Sequence, residues 1–440
     1  MDLNEKLRQL KRETELRRRN EELERTLEFL RRLDQPTRKR LPAERVAKGI
    51  EEYVDGQVES NDQGEFFVAS QALPFGRPYG KLRISDISGA DLSALELFLG
   101  GTHLPEMSRL VCLDTETTGL AGGTGTCAWL IGLGAPHGVQ FVVRQYFLRD
   151  YPEEKAILAA LAEALESYDG VITFNGKTFD IPLLETRYAL ARLKSPFPRL
   201  VHLDLLHPAR RLWKLRLESC ELQNLEKNVL GIYREGDVEG SEIPAIYFDY
   251  LRTGDPKGLA PVFYHNTLDI VTLAALSVEL ARAIANAGEQ MLDSPLDLFS
   301  LSRIFDRAGA AERGVATCER ALAAGLPTPV ESHALQHLAA QYKRQRQHER
   351  AVEVWLELSR RETRFAIEAL EELAIHYEHR RRDPQTALEF TATALERLSG
   401  EPSLRAHFGR FAHRKERLQK KASRLVRPSP LPLASRQRLQ

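Results

Sequence analysis

Residues 109–120 read Arg109-Leu110-Val111-Cys112-Leu113-Asp114-Thr115-Glu116-Thr117-Thr118-Gly119-Leu120. Leu110 to Leu113 is an apolar run of strand length, too short for a helix, and turn residues follow it closely. Asp114 and Glu116 stand two residues apart at its end. In an extended chain residues i and i+2 project from one face, so both carboxylates point at one spot. Two like charges this close are unfavourable unless a proton or a cation lies between them. The stretch is therefore either a strand end with two solvated acids or part of a cation site.

Outward from this strand the pattern is α/β. A Gly-rich loop, Ala121 to Thr126, leads into two strand-like runs, Cys127 to Leu133 and Val139 to Leu148. They are joined at Pro136-His137-Gly138, and connections this short join antiparallel neighbours. Pro152-Glu153-Glu154 opens a helix that runs to Tyr168. Gly170 to Phe174 is a buried-type strand, a helix follows from Phe179, and Val201 to Leu205 is a fifth strand. Helices are expected over 206–230 and 256–287, with the polar loop Asp237 to Pro244 between them. Residues 108–287 thus form a mixed five-stranded sheet with flanking helices.

The remaining segments carry weaker signals. Residues 1–35 are charge-dense, with Leu3, Leu7, Leu10, Leu16, Leu23, Leu27 and Leu30 at helical steps. They read as a solvated or self-associating amphipathic helix. In the segment 40–105, Val58 and Phe66 to Val68 suggest a hairpin turning at Asn61 to Gly64, and no chemistry is expected there. Residues 296–400 read as helix pairs. Leu338 to Tyr342 and Ala351 to Trp355 recur as Leu373 to Tyr377 and Ala387 to Phe390, at an offset of about 35. Phe305 with Ala316 gives a degenerate earlier copy. That period suggests tetratricopeptide-like repeats able to recruit a protein partner. The tail 405–440 is basic, then Pro-rich. It reads as a phosphate footprint or as a solvated tail.

Composition excludes several classes. At 440 residues two or three domains are expected. The net charge of zero gives no molecule-wide field, so any basic patch is local. Cys112, Cys127, Cys220 and Cys318 are scattered without a CxxC pair. This argues against a zinc ribbon or a disulfide framework and fits a reducing cytoplasm, the expected location. No apolar run approaches the roughly 18–20 residues of a membrane span, and no secretory leader is expected.

Two further acids belong with the first pair. Asp180 follows the turn Asn175-Gly176 and is either a helix cap or a ligand. Asp269 lies in Tyr264-His265-Asn266-Thr267-Leu268-Asp269-Ile270-Val271, flanked by apolar residues, where an acid needs a partner or a cation. His265, four residues earlier, shares its helical face, and Tyr264 lies one step round. Hard oxygen ligands without cysteine suit Mg²⁺ or Mn²⁺. Two such ions can activate water and stabilise the leaving oxygen of a phosphodiester, with a His or Tyr orienting or deprotonating that water.

These three motifs, Asp114 to Leu120, Asn175 through Phe179-Asp180, and His265 with Asp269, resemble those of the DEDD, or DnaQ-like, 3′–5′ exonuclease superfamily. More specifically the chain resembles the bacterial YprB-like group. That likeness is carried by Leu120 to Thr126, Leu222 to Glu226, Gly231-Ile232, Arg234, Asp237, Gly240 and Ile243-Pro244, and by the tetratricopeptide-like tail. The resemblance implies a ribonuclease H-like fold and 3′–5′ exonuclease action on nucleic acid, DNA or RNA, at a single-stranded 3′ end. It implies two Mg²⁺ or Mn²⁺ ions held by Asp114, Glu116, Asp180 and Asp269. The superfamily's histidine form places His five residues before the last Asp, where this chain has Tyr264. Its tyrosine form places Tyr four before, where this chain has His265. His265 is favoured for water activation because it shares the face of Asp269 and imidazole titrates nearest neutral pH. Tyr264 is the reserve. Expected substrate contacts are Thr117, Gly119, Leu120, Asn175 and Phe179, with Arg210 and Arg211 tracking phosphates. Asp204 is a strand-end cap or a support for the ligands. The Gly-rich loop lacks the Gly-Lys-Ser/Thr of a phosphate-binding loop. A non-catalytic adaptor with an inactive ribonuclease H-like module, and an endonuclease acting on structured nucleic acid, are the alternatives.

Overall fold

The computed structural model describes residues 49–119, 125–286, 294–399 and 405–426. The expected helix 1–35, most of the Gly-rich loop and the Pro-rich end lie outside them.

Strands β1 (Gly56–Asn61), β2 (Gly64–Pro74), β5 (Leu110–Thr117), β6 (Ala128–His137), β7 (Gln140–Phe147), β8 (Gly170–Thr173) and β9 (Val201–Asp204) form one sheet in the order β1-β2-β7-β6-β5-β8-β9. The short strands β3 (Pro78–Tyr79) and β4 (Leu82–Arg83) form a separate hairpin. β5 runs antiparallel to β6 and parallel to β8, which runs parallel to β9. The five expected strands are all present, but the sheet has seven, because the N-terminal hairpin adds β1 and β2 beyond β7. Phe66 to Ala69 are all buried. The Phe67 ring meets Phe147 and Phe263 edge-on at 6.3 and 6.4 Å, so β2 is an interior strand of a larger core.

Helices α1 (Glu154–Leu165), α2 (Asp180–Ala191), α3 (Leu206–Trp213), α4 (Ile243–Thr253) and α5 (Ala260–Ala285) flank the sheet. Alternation along β5 sorts its side chains. Val111 and Leu113 join a core with Leu158, Leu161 and Leu184 of α1 and α2. Leu110 and Cys112 join another with Ala209, Ile270 and Ala274 of α3 and α5. Asp114 and Glu116 continue the second face, on which α5 lies. The helix expected over 206–230 breaks after Trp213. It resumes as a turn at Leu222–Leu225 and a π-turn at Glu226–Leu230, which ends where Gly231 adopts φ +71°.

Beyond α5 follow three helix pairs: α6 (Pro295–Arg307) with α7 (Ala311–Ala323), α8 (Thr328–Arg344) with α9 (His348–Ser359), and α10 (Arg364–His376) with α11 (Pro384–Ser399). Leu298, Cys318, Leu338, Trp355 and Leu373 share their core. The helix α12 (Arg405–Val426) closes the array. Its basic residues are largely engaged within the chain. Arg410 pairs with Glu371 at 2.7 Å, and Arg417 and Lys421 each pair with Glu378 at 2.6 Å. The basic run therefore serves as an internal clasp on α10 and the turn after it. Among the described residues no helix is long and apolar enough to cross a membrane.

Candidate active site

The cross-strand register at the C-terminal end of β5 builds the site. Asp114 stands opposite Gly132 of β6, and Gly132 stands opposite Gln145 of β7. A Cβ on Gly132 would lie 2.2 Å from Asn266 Oδ1, and one on Gly134 would lie 2.2 Å from Ile270 Cγ2. Two glycines on one face of β6 thus let α5 lie directly on the sheet. Asn266, fully buried, fills the space over Gly132. Its Oδ1 accepts from Gln145 Nε2 at 2.9 Å, and its Nδ2 donates to Asp114 Oδ2 at 2.9 Å. The third motif is thereby locked to the first.

Asp180 comes from the other side of the strand. It does not occupy the cap position of α2, which is held by Phe179 without a side-chain cap bond. Instead its Oδ1 accepts from Thr115 Oγ1 at 2.6 Å. The loop that delivers it is shaped by Asp204, which accepts from the backbone amides of Asn175, Lys177 and Leu206 at 2.8, 3.0 and 3.1 Å. Asn175 takes a left-handed φ of +66°, which asparagine tolerates. Asp204 is therefore the loop's anchor.

Glu116, His265 and Asp269 each place a ligand atom within 4.8 Å of the others. The His265 Nδ1–H donates to Asp237 Oδ1 at 2.8 Å, since a carboxylate can only accept. Its Nε2 then faces Asp269 Oδ2 at 3.4 Å, and a lone pair beside a carboxylate calls for a proton or a cation between them. His265 is 7% exposed and Tyr264 43% exposed, so the imidazole is the member of that pair turned into the acid cluster.

The electrostatics agree with the geometry. Burial, then the charges of Asp269, Glu116 and Asp180, hold the Asp114 carboxyl well above the usual range. Burial, then Asp269 and Asp180, push Glu116 up to about 8. Burial raises Asp180 to about 6 against the hydrogen bond from Thr115. Crowded carboxylates with raised proton affinity fit hard divalent cations such as Mg²⁺ or Mn²⁺.

Not every expected contact gathers here. Arg211 lies over the Phe98 ring, and Arg216 pairs with Asp297 of α6 at 2.7 Å, while Arg210 is exposed. Thr117 Oγ1 donates to Gly119 O at 3.1 Å, and Leu120 lies outside the described residues. Phe179 is 51% exposed. Sequence patterning gives no role in the cluster to Arg234, Asp237 or Glu226, yet Arg234 pairs with Glu226, Asp237 and Asp269. The segment 40–105, where no chemistry was expected, reaches the same network. The Tyr79 hydroxyl lies 2.7 Å from Thr272 Oγ1, which donates to Glu226. In the sequence Glu226, Arg234 and Asp237 stand out only as residues that carry the family likeness.

The family comparison agrees with this architecture. The model of the RNase_H superfamily matches residues 111–281. The Bacillus subtilis (strain 168) protein YprB, described as uncharacterized, is 30% identical over 292 residues, 66% of this chain and 69% of that one. Among solved structures, the family B DNA polymerase of the hyperthermophilic archaeon Pyrobaculum calidifontis is similar at 14% identity and a TM-score of 0.31. The match covers 57% of this chain and 33% of the polymerase chain.

Proposed function

We propose that this chain, which belongs to the YprB family of ribonuclease H-like proteins, is a divalent-metal-dependent nuclease that shortens single-stranded nucleic acid from its 3′ end. The observation that carries this is the convergence of Glu116, His265 and Asp269 on one point, with Asp114 and Asp180 beside them at the end of β5. Two Mg²⁺ or Mn²⁺ ions held by Asp114, Glu116, Asp180 and Asp269 would supply Lewis acidity to the scissile phosphate and its leaving oxygen. His265 takes the proton of the attacking water at Nε2, because Asp237 occupies Nδ1 and fixes the ring. Asn266 holds Asp114 against rotation. Phe179, exposed one residue before Asp180, offers a face on which a terminal base stacks. The three helix pairs are read as tetratricopeptide-like and as a surface for a protein partner.

The test uses 5′-labelled single-stranded DNA and RNA with Mg²⁺ or Mn²⁺. A ladder of 3′-shortened products from the wild type, absent in Asp114→Ala and with chelator, is expected. Cutting of a circular substrate would establish endonuclease action instead. Nucleic-acid binding without cleavage under either metal would establish an adaptor.

A further inference from the structure

Arg234 places a permanent positive charge inside the acid cluster. Its guanidinium side chain is 6% exposed. Nε donates to Glu226 Oε2 at 2.7 Å and Nη2 to Glu226 Oε1 at 2.6 Å. Nη1 donates to Asp237 Oδ2 at 2.9 Å, and Nη2 also reaches Asp269 Oδ1. One guanidinium therefore touches the acid that orients His265, the acid that receives the ion, and a third acid with no other task. Glu226 is seated in turn by Thr272, behind which stands Tyr79. The Tyr79 hydroxyl, with one proton to give, lies 2.7 Å from Thr272 Oγ1 and 3.1 Å from the Leu268 carbonyl. The Lys81 amide donates to Leu230 O at 2.9 Å, fixing the small β3–β4 hairpin against the π-turn that carries Glu226. The arginine is thus braced from behind and cannot leave without breaking a buried bidentate pair.

We propose that Arg234 is a resident cation and a positioning residue of this site, a role that rests on the nuclease reading: it holds Asp269 by Oδ1, leaves Oδ2 free toward Glu116 for a divalent ion, and by its charge weakens that ion's binding in the absence of nucleic acid. A divalent ion on Asp269 Oδ2 shares its carboxylate with the guanidinium, so the two cations repel each other. An incoming phosphate offsets this repulsion. Ion affinity and nucleic-acid affinity are therefore coupled through Arg234, each raising the other.

The sign of one measurement separates this from a merely structural arginine. Loss of a structural brace would free Asp269 and loosen the ion. Loss of a competing cation tightens it. Mn²⁺ binding to the full chain without nucleic acid, followed by the electron paramagnetic resonance of free Mn²⁺, is expected to be on the order of tenfold tighter in Arg234→Gln than in the wild type. That is the size of a unit charge acting on a divalent ion over about 5 Å in a water-like dielectric. Cleavage is expected to fall in the same variant. The double variant Arg234→Gln with Glu226→Gln removes the carboxylate that the single variant leaves without its bidentate partner. Because a negative charge goes with the positive one, it is expected to tighten Mn²⁺ by less than Arg234→Gln while still binding it more tightly than the wild type. Arg234→Lys keeps the charge and is expected to bind Mn²⁺ as the wild type does. Equal or weaker binding by both glutamine variants, with a wild type that loads Mn²⁺, overturns the role of Arg234 alone. A wild type that binds no Mn²⁺ overturns the nuclease reading beneath it.

Discussion

At the scale of single residues, the acids at the end of β5 are held in a place that disfavours their charge. Glu116 and Asp180, pushed up to about 8 and about 6, bind protons in the folded state that the unfolded chain has already released. Their contribution to stability is full below the ordinary carboxylate range and is lost as pH rises through the raised values. Each costs about 1.4 kcal/mol per pH unit across its window. Thermal unfolding of the metal-free protein, followed by circular dichroism, is therefore expected to show a falling midpoint from pH 5.5 to 8.5. Saturating Mg²⁺ should flatten the slope, and Glu116→Gln should raise the midpoint at pH 8.5 while abolishing cleavage. His265→Asn is expected to lower the single-turnover cleavage rate by about 10²–10⁴, the usual worth of a general base. Tyr264→Phe should change it little. The acids were legible in the sequence because spacings of two on a strand and four on a helix impose a shared face. Arg234 and Asp237 are singled out only by the family likeness and without a role, because they arrive on a segment without periodicity and only the folded chain shows that they meet Asp269 and His265.

At the scale of elements, the site depends on how closely α5 lies on β6. Gly132 makes that approach, and it stands in register between Asp114 and Gln145. Gly132→Ala would drive a methyl into Asn266, which Gln145 and Asp114 pin from both sides. A loss of about 1–3 kcal/mol in denaturant unfolding is expected from the overpacking, with weakened metal-dependent cleavage although no ligand is changed. The five strands β5 to β9 were readable because each carries its own apolar run and its own turn residues. The pairing of β2 with β7 was not. A hairpin announces its internal turn, but nothing in its local sequence names the distant strand it will join. The buried run Phe66 to Ala69 was the available sign, since a hairpin exposed on one face would alternate.

At the scale of the whole molecule, α12 shows what a charge count misses. A run of arginines and lysines looks like a phosphate footprint until its partners appear, and here Glu371 and Glu378 take up several of those charges. Phe411 is buried with Ile367, Leu370 and Leu398. Phe411→Ala is expected to lower unfolding free energy by about 3–5 kcal/mol while leaving cleavage of a short oligonucleotide by the folded protein intact. Urea denaturation alongside the cleavage assay checks both halves. The sheet carries a different lesson about portability. The superfamily match spans residues 111–281, yet β2 zips along β7 from Phe67↔Phe147 to Pro74↔Gln140, and Tyr79 stands behind Thr272 and Glu226. A fragment cut to the matched boundaries would present β7 as a raw, sticky edge and would leave the seat of Arg234 unbacked. The smallest piece that could be moved into another protein with this site intact therefore begins no later than Gly56, at the first residue of β1.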